Sequence, residues 1–596
     1  MVQIPFGVAD SALARLFSSG PAAQDTSWFS LPGGAALCQA GDDADQLFFL
    51  RAGRLAVFRH SEGHTPQFLG VIRPGEPAGE MALIAGSAHT ATVVALRDSE
   101  ILSMPRQVFF AAAEREPAVM MELARLMIRR ARQSADRGGG LGAPSVFGFV
   151  GLQGGLEVRG LVEQTAKAIA ALGHSVTTIG EEAQHAPTEW FSNVEAEHDY
   201  VLYAAEADQL GWKQIVGRQV DRLFHIGQGG GAPPALVGRY VSAALENQFL
   251  IDLVLLHPPG RALPEGGEAW MDAVRPARLF HLRAGDPAEA ARMARVLTGR
   301  SVGLVLSGGG ARAYAHVGAV RELRRAGVPI DFVGGASMGA VVGGAVAMGW
   351  EDEEIDWRIR KAFVETNPVG DIAIPLIAMS RGEKVRARLA EHFGDQSIAD
   401  LWRPYFCVSS NLTAGAFQLH RRGLLREALR ASTAIPGLLP PATQDNNVLV
   451  DGAVMKNFPT DIMRQAHLGP VVGVDVTRGR SITADDVARP SSVWRWIFSG
   501  EWRKGPPIVS LLLRTATIST GPEMIASREA TDLLVLPTME DVEIRDWEAF
   551  DVAVEAGARG MAAALAGLSS PLTELRRRPL LEPSGRAFVP FSAAPQ

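Results

Sequence analysis

The sequence contains very little cysteine and no long apolar run. Only two of its 596 residues are cysteines, Cys38 and Cys407, and they are far apart in the chain. Such a pair does not make a disulfide framework, which favours a reducing compartment. The sequence has no run of about 18 apolar residues, so it predicts no membrane-spanning helix. Residues 1–17 lack the pattern of a secretory signal. We therefore expect a cytoplasmic protein that is soluble or peripheral at a membrane.

The sequence also lacks a large excess of charge of either sign. A net charge of −7 argues against general nucleic-acid binding. With 47% hydrophobic and 21% charged residues, the chain is typical of a globular protein rather than a disordered or fibrous one. At this length we expect a multidomain α/β protein with three domains, at residues 1–140, 141–298 and 299–596.

The most informative motif is Gly-x-Ser-x-Gly at residues 335–339. A strand-like run precedes it and a helix-like run follows it, which is the pattern of a nucleophile elbow. At such an elbow Ser337 is exposed on a strained turn, and Gly335 and Gly339 leave room for the strand and helix to pass closely. The motif is common by chance in glycine-rich chains, so its interpretation as an elbow depends on the segment that precedes it.

That neighbour is a glycine-rich turn between a strand-like run at 302–306 and a helical pattern. Gly308, Gly309 and Gly310 follow Ser307. Three consecutive glycines let backbone N–H groups converge, and the following helix N-terminus favours negative charge there, which predicts an oxyanion hole. A phosphate-binding loop is the alternative, but no Gly-Lys-Ser/Thr follows.

An aspartate at the end of a strand-like run, Asp451, is the predicted partner of the serine. It is followed by a glycine, as at a turn. Asp475 ends the next strand-like run but lacks the adjacent glycine, so we rank it second. A Ser-Asp-His triad would need His467, the one histidine after Asp451. His467 follows a helix-like run, and we interpret it as a helix C-terminal residue.

Taken together, the glycine loop, the elbow and the Asp-Gly pair resemble the patatin-like phospholipase family. Residues 431–436, with two prolines at 440–441, are similar to a family segment between elbow and aspartate, and residues 294–299 are similar to the neuropathy target esterase branch. The resemblance implies a patatin-like α/β/α catalytic domain and a Ser-Asp dyad without metal or cofactor. It places Arg312 at the family's basic position in the oxyanion loop. It also implies acyl-ester hydrolysis of a phospholipid or lysophospholipid.

Short alternating segments over residues 29–104, punctuated by glycine, resemble a cyclic-nucleotide-binding β-roll. Within them, residues 46–58 predict a hairpin that turns at Gly53, and helices are expected over 107–113 and 117–136. In such domains a glutamate holds the ribose and an arginine clamps the cyclic phosphate. Glu80 fits the first role, but His89 stands at the arginine position. A histidine is mostly neutral at pH 7 and lacks the bidentate fork, which argues against tight cyclic-nucleotide binding.

Residues 144–293 alternate strand-like and helix-like runs, which predicts a middle α/β domain. Its glycine-rich stretch at 151–155 carries no lysine followed by serine or threonine, so we interpret it as a connection without phosphate chemistry. Residues 227–234 are rich in glycine and proline, and we interpret them as a surface loop rather than a binding site.

A segment that bears on the substrate crowds three tryptophans beside three cations: Trp494, Trp496 and Trp502 with Arg495, Arg503 and Lys504. Two interpretations are open, contact with lipid headgroups or a helix packed on the catalytic core. For the whole chain, two alternatives to a phospholipid esterase are a ligand-sensing scaffold with an idle patatin domain and a lipase or thioesterase on another substrate.

Overall fold

The structure is a computed structural model. It describes residues 11–18, 21–59, 67–135, 144–234, 251–365, 370–373, 377–467, 469–477, 521–539, 542–544 and 546–575. Within these ranges the strands form three sheets, which follow one another along the chain. The predicted fold class is confirmed, with a β-roll first, a parallel α/β sheet in the middle and a mixed α/β sheet last.

The first sheet is antiparallel. Its strands are β1 Ser27–Leu31, β2 Ala36–Cys38, β3 Gln46–Arg59, β4 Gln67–Ile72, β5 Pro77–Ala78 and β6 Thr92–Pro105. The long strand β6 pairs with β1, β2 and β3, and β3 also pairs with β4 and β5. The helices around this sheet are α1 Ala12–Ser18, α2 Glu80–Ala85, α3 Arg106–Arg115 and α4 Pro117–Ala135. The two predicted trailing helices are thus confirmed as α3 and α4.

The hairpin predicted at Gly53 is wrong. Residues 46–59 form one continuous strand that pairs with β6 on both sides of Gly53, with register shifts around that glycine. Gly53 has φ +97°, and a Cβ on it would lie 2.6 Å from the Cα of Ser99 on β6. The glycine is therefore needed for a bulge rather than a turn, because both halves of the strand pair with the same long neighbour.

The second sheet is parallel throughout. Its strands are β7 Val146–Gly151, β8 Val176–Ile179, β9 Tyr200–Ala205, β10 Arg222–Gln228, β11 Ile251–His257 and β12 Arg278–Arg283, in the order β12-β11-β10-β7-β9-β8. The associated helices are α5 Val158–Ala171, α6 Thr188–Glu197, α7 Leu210–Gln219, α8 Gly267–Val274 and α9 Pro287–Leu297. Every residue of β7 is buried, as expected for a strand covered on both faces.

The third sheet has the order β17-β18-β15-β14-β13-β19-β20, with β16 paired to β15. Its strands are β13 Gly303–Leu306, β14 Phe332–Ala336, β15 Tyr405–Asn411, β16 Ala416–His420, β17 Ala442–Gln444, β18 Asn447–Val450, β19 Val471–Val474 and β20 Leu533–Val535. The helices are α10 Ala315–Arg325, α11 Ser337–Met348, α12 Asp352–Ile359, α13 Glu383–Phe393, α14 Leu425–Ser432, α15 Thr460–Ala466, α16 Gly521–Glu529 and α17 Phe550–Ala566. Strands β15, β14, β13, β19 and β20 are parallel.

Helix α11 lies in the largest core, and all 12 of its residues are buried. A helix that is apolar all round fits such a central position. Nearby, α10 and α17 touch backbone to backbone, since a Cβ on Gly318 would lie 1.8 Å from the Val554 carbonyl oxygen. This packing fixes the helix that follows the glycine loop.

Polar contacts join the three sheets to one another. Arg97 of the β-roll forms a partly buried ion pair with Glu195 and donates to the Gln219 carbonyl at 3.3 Å in the middle region of the chain. His281 of the middle sheet hydrogen-bonds through Nε2 to the Ala399 carbonyl at 2.7 Å. The β-roll therefore contacts helices α6 and α7 beside the middle sheet, and the middle sheet contacts the turn at 398–400 that precedes β15.

Candidate active site

The predicted elbow lies at the junction of β14 and α11. Strand β14 ends at Ala336, and Ser337 is the first residue of the helix, with φ +52°. A left-handed φ is strained for any residue but glycine, and such strain clusters at functional sites. A Cβ on Gly335 would lie 2.8 Å from the Gly339 carbonyl carbon, and one on Gly339 would lie 2.4 Å from the Leu306 carbonyl oxygen. Both glycines are therefore required by close backbone contacts.

Ser337 and Asp451 are in direct contact, although 114 residues separate them. The Ser337 hydroxyl donates a hydrogen bond of 2.6 Å to Oδ2 of Asp451. The aspartate directly follows β18, and its Oδ1 accepts from the Ala453 amide at 2.8 Å. Both side chains are buried, so the expectation of an exposed serine at the elbow is wrong, because Ser337 is packed inside the core with only 4% of its surface exposed. The second oxygen of the carboxylate is thus held by the backbone, which orients the first toward the serine.

Burial raises the pKa of Asp451 to about 6. The hydrogen bonds from Ser337 and the Ala453 amide act in the opposite direction and favour the carboxylate. A carboxyl group with a pKa of about 6 is mostly ionised at pH 7, and it is more basic than an ordinary aspartate. It can therefore accept a proton from a hydroxyl more readily than an exposed aspartate could.

The glycine loop lies between β13 and α10, beside the elbow. A Cβ on Gly308 would lie 2.9 Å from the Ser337 Cβ, so the loop and the serine are neighbours. The Gly308 amide donates to Asn457, at 3.1 Å to Oδ1 and 3.3 Å to the carbonyl oxygen. Within the described ranges, the amides of Gly309 and Gly310 have no hydrogen-bond acceptor. These two N–H groups are therefore the loop's candidate oxyanion donors.

Arg312 lies behind the loop. Its guanidinium donates to the carbonyl oxygens of Val476 at 2.8 Å, Met539 at 3.0 Å and Val542 at 2.8 Å. The side chain is buried. Arg312 therefore ties the loop to the end of β19 and to the segment after β20, and its guanidinium is engaged by main-chain carbonyls.

Three further side chains support the site, and none of them was predicted as a site residue. Ser432 accepts from the Ser337 amide at 2.9 Å and donates to the Val408 carbonyl at 2.7 Å. Ser410 donates to the Asp451 carbonyl at 2.9 Å. His316 bonds through Nε2 to the Ser307 carbonyl at 2.8 Å, and burial lowers the pKa of its imidazole to about 4, so the ring is neutral.

A signal in the sequence existed for only one of these supporting residues. Ser432 lies within residues 431–436, the segment that carries part of the family resemblance. Ser410, His316 and Asn457 stand in no recognisable spacing to the motifs, because their roles depend on contacts between distant parts of the chain.

The rival residues are engaged elsewhere. His467 follows the last residue of α15, as expected, where its Nδ1 lies 3.2 Å from the Ser301 hydroxyl and its ring stacks on Phe332. Asp475 forms an ion pair of 2.6 Å with Arg528. The structure therefore brings Ser337 to Asp451 and not to either rival.

In the β-roll, Glu80 is the first residue of α2 and is buried. His89 is also buried, and its backbone N–H donates to the Asp42 carbonyl at 2.8 Å. A Cβ on Gly79 would lie 3.0 Å from Cε1 of His89, so the ring packs against the start of α2. The imidazole thus occupies space beside the Gly-Glu pair.

The tryptophan-rich segment with Trp494, Trp496 and Trp502 lies outside the described residues. In the part of the chain that the structure covers, no three histidine, cysteine, aspartate or glutamate side chains are grouped to hold a metal ion. Among those same residues, no helix is both long and apolar enough to cross a membrane.

Comparison with known proteins decides the family. Residues 304–464 match the patatin-like phospholipase family, and residues 28–116 match the cyclic nucleotide-binding domain. An uncharacterized NTE family protein of Mycobacterium tuberculosis is 30% identical over 554 residues, which cover 90% of this chain and 91% of that protein. The chain belongs to the NTE family.

Animal members of the NTE family are longer. Neuropathy target esterase sws of Drosophila melanogaster is 26% identical and aligns with 83% of this chain, but only 39% of that protein is covered. Patatin-like phospholipase domain-containing protein 7 of Rattus norvegicus is also 26% identical, over 89% of this chain and 44% of that protein. The alignment therefore spans most of both chains for the mycobacterial relative, whereas more than half of each animal relative lies outside the alignment.

Proposed function

We propose that this NTE family member is a serine esterase that hydrolyses acyl esters of lysophospholipids or phospholipids. The observation that carries the proposal is the 2.6 Å hydrogen bond from the strained, buried Ser337 to Asp451. The match to the patatin-like phospholipase family supports a lipid ester as the substrate.

In the acylation step, Asp451 accepts the Ser337 proton while Oγ attacks the ester carbonyl carbon. The carbonyl oxygen becomes an oxyanion, which the amides of Gly309 and Gly310 can stabilise. The tetrahedral intermediate then expels the alcohol, which takes the proton from Asp451 and leaves an acyl group on Ser337. The helical turn at Gly310–Tyr314 and α10 behind it add a favourable dipole.

In the deacylation step, Asp451 accepts a proton from water, which attacks the acyl-enzyme carbonyl. The second tetrahedral intermediate releases the fatty acid, and the proton on Asp451 returns to Ser337. No histidine takes part in this scheme. The neutral His316 holds the backbone of the loop at Ser307 instead.

Lysophospholipid is the specific substrate we propose, because of the resemblance to the neuropathy target esterase branch. The test is a lipid panel of lysophospholipid, diacyl phospholipid, neutral glyceride and acyl thioester, each presented in micelles and in bilayers. We expect the highest kcat/KM on lysophospholipid and none of this activity in Ser337→Ala. A higher kcat/KM on glyceride or thioester would contradict the substrate, and activity in Ser337→Ala would contradict the mechanism.

For the β-roll we propose a structural or regulatory role without tight cyclic-nucleotide binding. The support is His89, whose ring packs on Gly79 where a family arginine would present its fork. The wild-type panel repeated with residues 1–140 removed would show whether the β-roll alters catalysis.

We also propose domain boundaries at 140/141 and 298/299. Helix α4 ends at Ala135 before β7 begins at Val146, and α9 ends at Leu297 before β13 begins at Gly303. Because α9 packs against α5, it belongs with the middle sheet. Limited proteolysis should cut first near these boundaries.

A further inference from the structure

The Gly308 backbone is held on both sides by one side chain. Asn457 accepts the Gly308 N–H through Oδ1 at 3.1 Å, and its Nδ2 donates to the Gly308 carbonyl oxygen at 3.4 Å. Asn457 is buried, and a Cβ on Gly308 would lie 2.4 Å from its Oδ1. The carboxamide therefore packs directly on the glycine backbone.

These two bonds fix the planes of two successive peptide groups. A trans peptide is planar, and its C=O and N–H point in opposite directions. Since the Gly308 C=O points to Asn457, the Gly309 N–H of the same peptide group points away from Asn457. That N–H is one of the two loop amides without an acceptor in the described residues.

The same side chain is rigidly joined to the predicted base. Asp451 and Asn457 flank a tight turn in which the Lys456 amide donates to the Gly452 carbonyl at 2.8 Å. The turn is anchored to β15 by a bond of 3.0 Å from the Met455 amide to the Ser410 hydroxyl. One short segment thus positions the carboxylate at one end and the loop contact at the other.

We propose that Asn457 is a positioning residue for the hydrolysis proposed above, on which this inference rests. The Gly308 N–H is withdrawn from the oxyanion hole because the Asn457 main-chain carbonyl and carboxamide oxygen both accept it, at 3.3 Å and 3.1 Å. The carboxamide Nδ2, through the Gly308 carbonyl, orients the Gly309 amide, so that Gly309 and Gly310 are the donors. Asn457 does not touch the substrate. Its effect is on the transition state, in which the oxyanion carries its full charge.

The test uses Asn457→Ala in the full chain, assayed on a soluble p-nitrophenyl ester and with a trifluoromethyl ketone that forms a tetrahedral oxyanion adduct. Misplacement of such donors costs about 10²-fold in rate, so we expect kcat to fall by about that factor, with KM nearly unchanged. The ketone Ki should rise by about the factor by which kcat/KM falls. The acid limb of the pH profile should not move, because the contacts of Asp451 are intact.

Two further variants control for folding. Asn457→Asp is nearly isosteric and keeps an oxygen for the Gly308 N–H, but it loses the donor to the Gly308 carbonyl. We expect a loss of kcat at least as large as for the alanine variant, and this variant decides the question if Asn457→Ala does not fold. Asn411→Ala removes a buried asparagine whose carboxamide bonds Thr413 and Ala414, and its kcat should stay within about twofold.

The outcomes separate this inference from the proposed function. If Ser337→Ala is inactive but Asn457→Ala and Asn457→Asp keep the wild-type kcat and Ki, the inference is wrong and the esterase stands. A rise in KM alone, or a loss of kcat as large in Asn411→Ala, would also overturn it. If Ser337→Ala is as active as the wild type, the proposed function itself fails.

Discussion

At two predicted sites in this molecule a glycine lies in the turn just before a helix. Gly335 precedes α11, and Gly79 precedes α2. At the first, Ser337 lies at the helix start with Asp451 2.6 Å away. At the second, Glu80 lies buried at the helix start, but His89 replaces the expected arginine and packs on Gly79. A fold is maintained by the packing of many residues, so it survives single replacements. The replacement of one charged side chain, in contrast, can remove the charge that a ligand needs. The first turn has both the backbone geometry and the side chains that the proposed hydrolysis needs, whereas the second has the backbone geometry but a histidine at the arginine position.

The largest expected effect is at the first turn. Ser337→Ala and Asp451→Asn should each lower kcat by about 10⁴-fold or more, because residues that act as a unit fail together. A soluble chromogenic ester assay on purified full-length variants measures this. A residual rate within tenfold of the wild type in either variant would contradict the proposed dyad.

The stability of Asp451→Asn should change in the opposite sense to its activity. The pKa of Asp451 rises from 3.8 to about 6 on folding, so the folded state binds the proton more tightly than the unfolded chain. The stability that this proton confers is present below about pH 4 and is lost as the pH rises through about 6. At pH 7 the ionised carboxylate therefore destabilises the folded state. Asp451→Asn should melt at a temperature equal to or above that of the wild type. A melting temperature several degrees lower would contradict the burial argument.

The second test concerns the space around the backbone of the glycine loop at residues 308–310. In Gly310→Ala the Cβ would lie 2.2 Å from the Ile544 carbonyl oxygen at φ +57°, so the loop must shift. We expect kcat to fall by about 10²-fold, the effect of losing one oxyanion donor. Gly154→Ala is the matched control, since its Cβ would meet nothing within 4 Å. Equal losses in both variants would show that the effect is not local.

The pH dependence of kcat/KM tests the electrostatics of the dyad. Asp451 must be ionised to accept the serine proton, so the rate should fall as the pH falls through about 6, by about tenfold per pH unit below it. A pH-rate profile of the free enzyme on an uncharged ester measures this. An acid limb near the ordinary aspartate value of 3.8 would contradict the effect of burial.

The second turn is tested by calorimetric titration with cyclic AMP and cyclic GMP. We expect no micromolar binding by the wild type. His89→Arg would supply a charged fork, and a charge-assisted pair contributes about 1.5 to 3 kcal/mol, so it should tighten binding by about 10- to 100-fold. Micromolar binding by the unaltered protein would remove the contrast between the two turns.

The smallest expected effect is for His467→Ala. Because His467 bonds Ser301 and stacks on Phe332, its loss should lower stability by about 1 to 3 kcal/mol but leave kcat within about twofold. A thermal melt and the ester assay together separate the two effects. A kcat loss comparable to that of Ser337→Ala would favour a triad.

Much of the fold was accessible from the sequence because it depends on local patterns. The apolar runs of β7 and β13, the glycines around Ser337 and the proline that opens α4 mark their elements by residues close together in the chain. Gly53 shows the limit. A glycine between two strand-like runs predicts a turn, but pairing of both runs with β6 made it a bulge. Likewise, a site could be predicted from motifs, whereas of its supporting residues only Ser432 lies in a segment that the sequence singled out.

By itself, the sequence determined which residues are candidates: a serine on an elbow, three glycines before a helix, and aspartates at strand ends. It also determined that a histidine replaces the arginine of the β-roll, since that is a matter of residue identity. Only the tertiary structure showed that Ser337 contacts Asp451 while Asp475 and His467 have other partners. Only it showed that Asn457 accepts the Gly308 N–H. The physical reason is that backbone conformation follows from neighbours in the chain, whereas a hydrogen bond across 114 residues exists only once the strands that carry its two ends have paired.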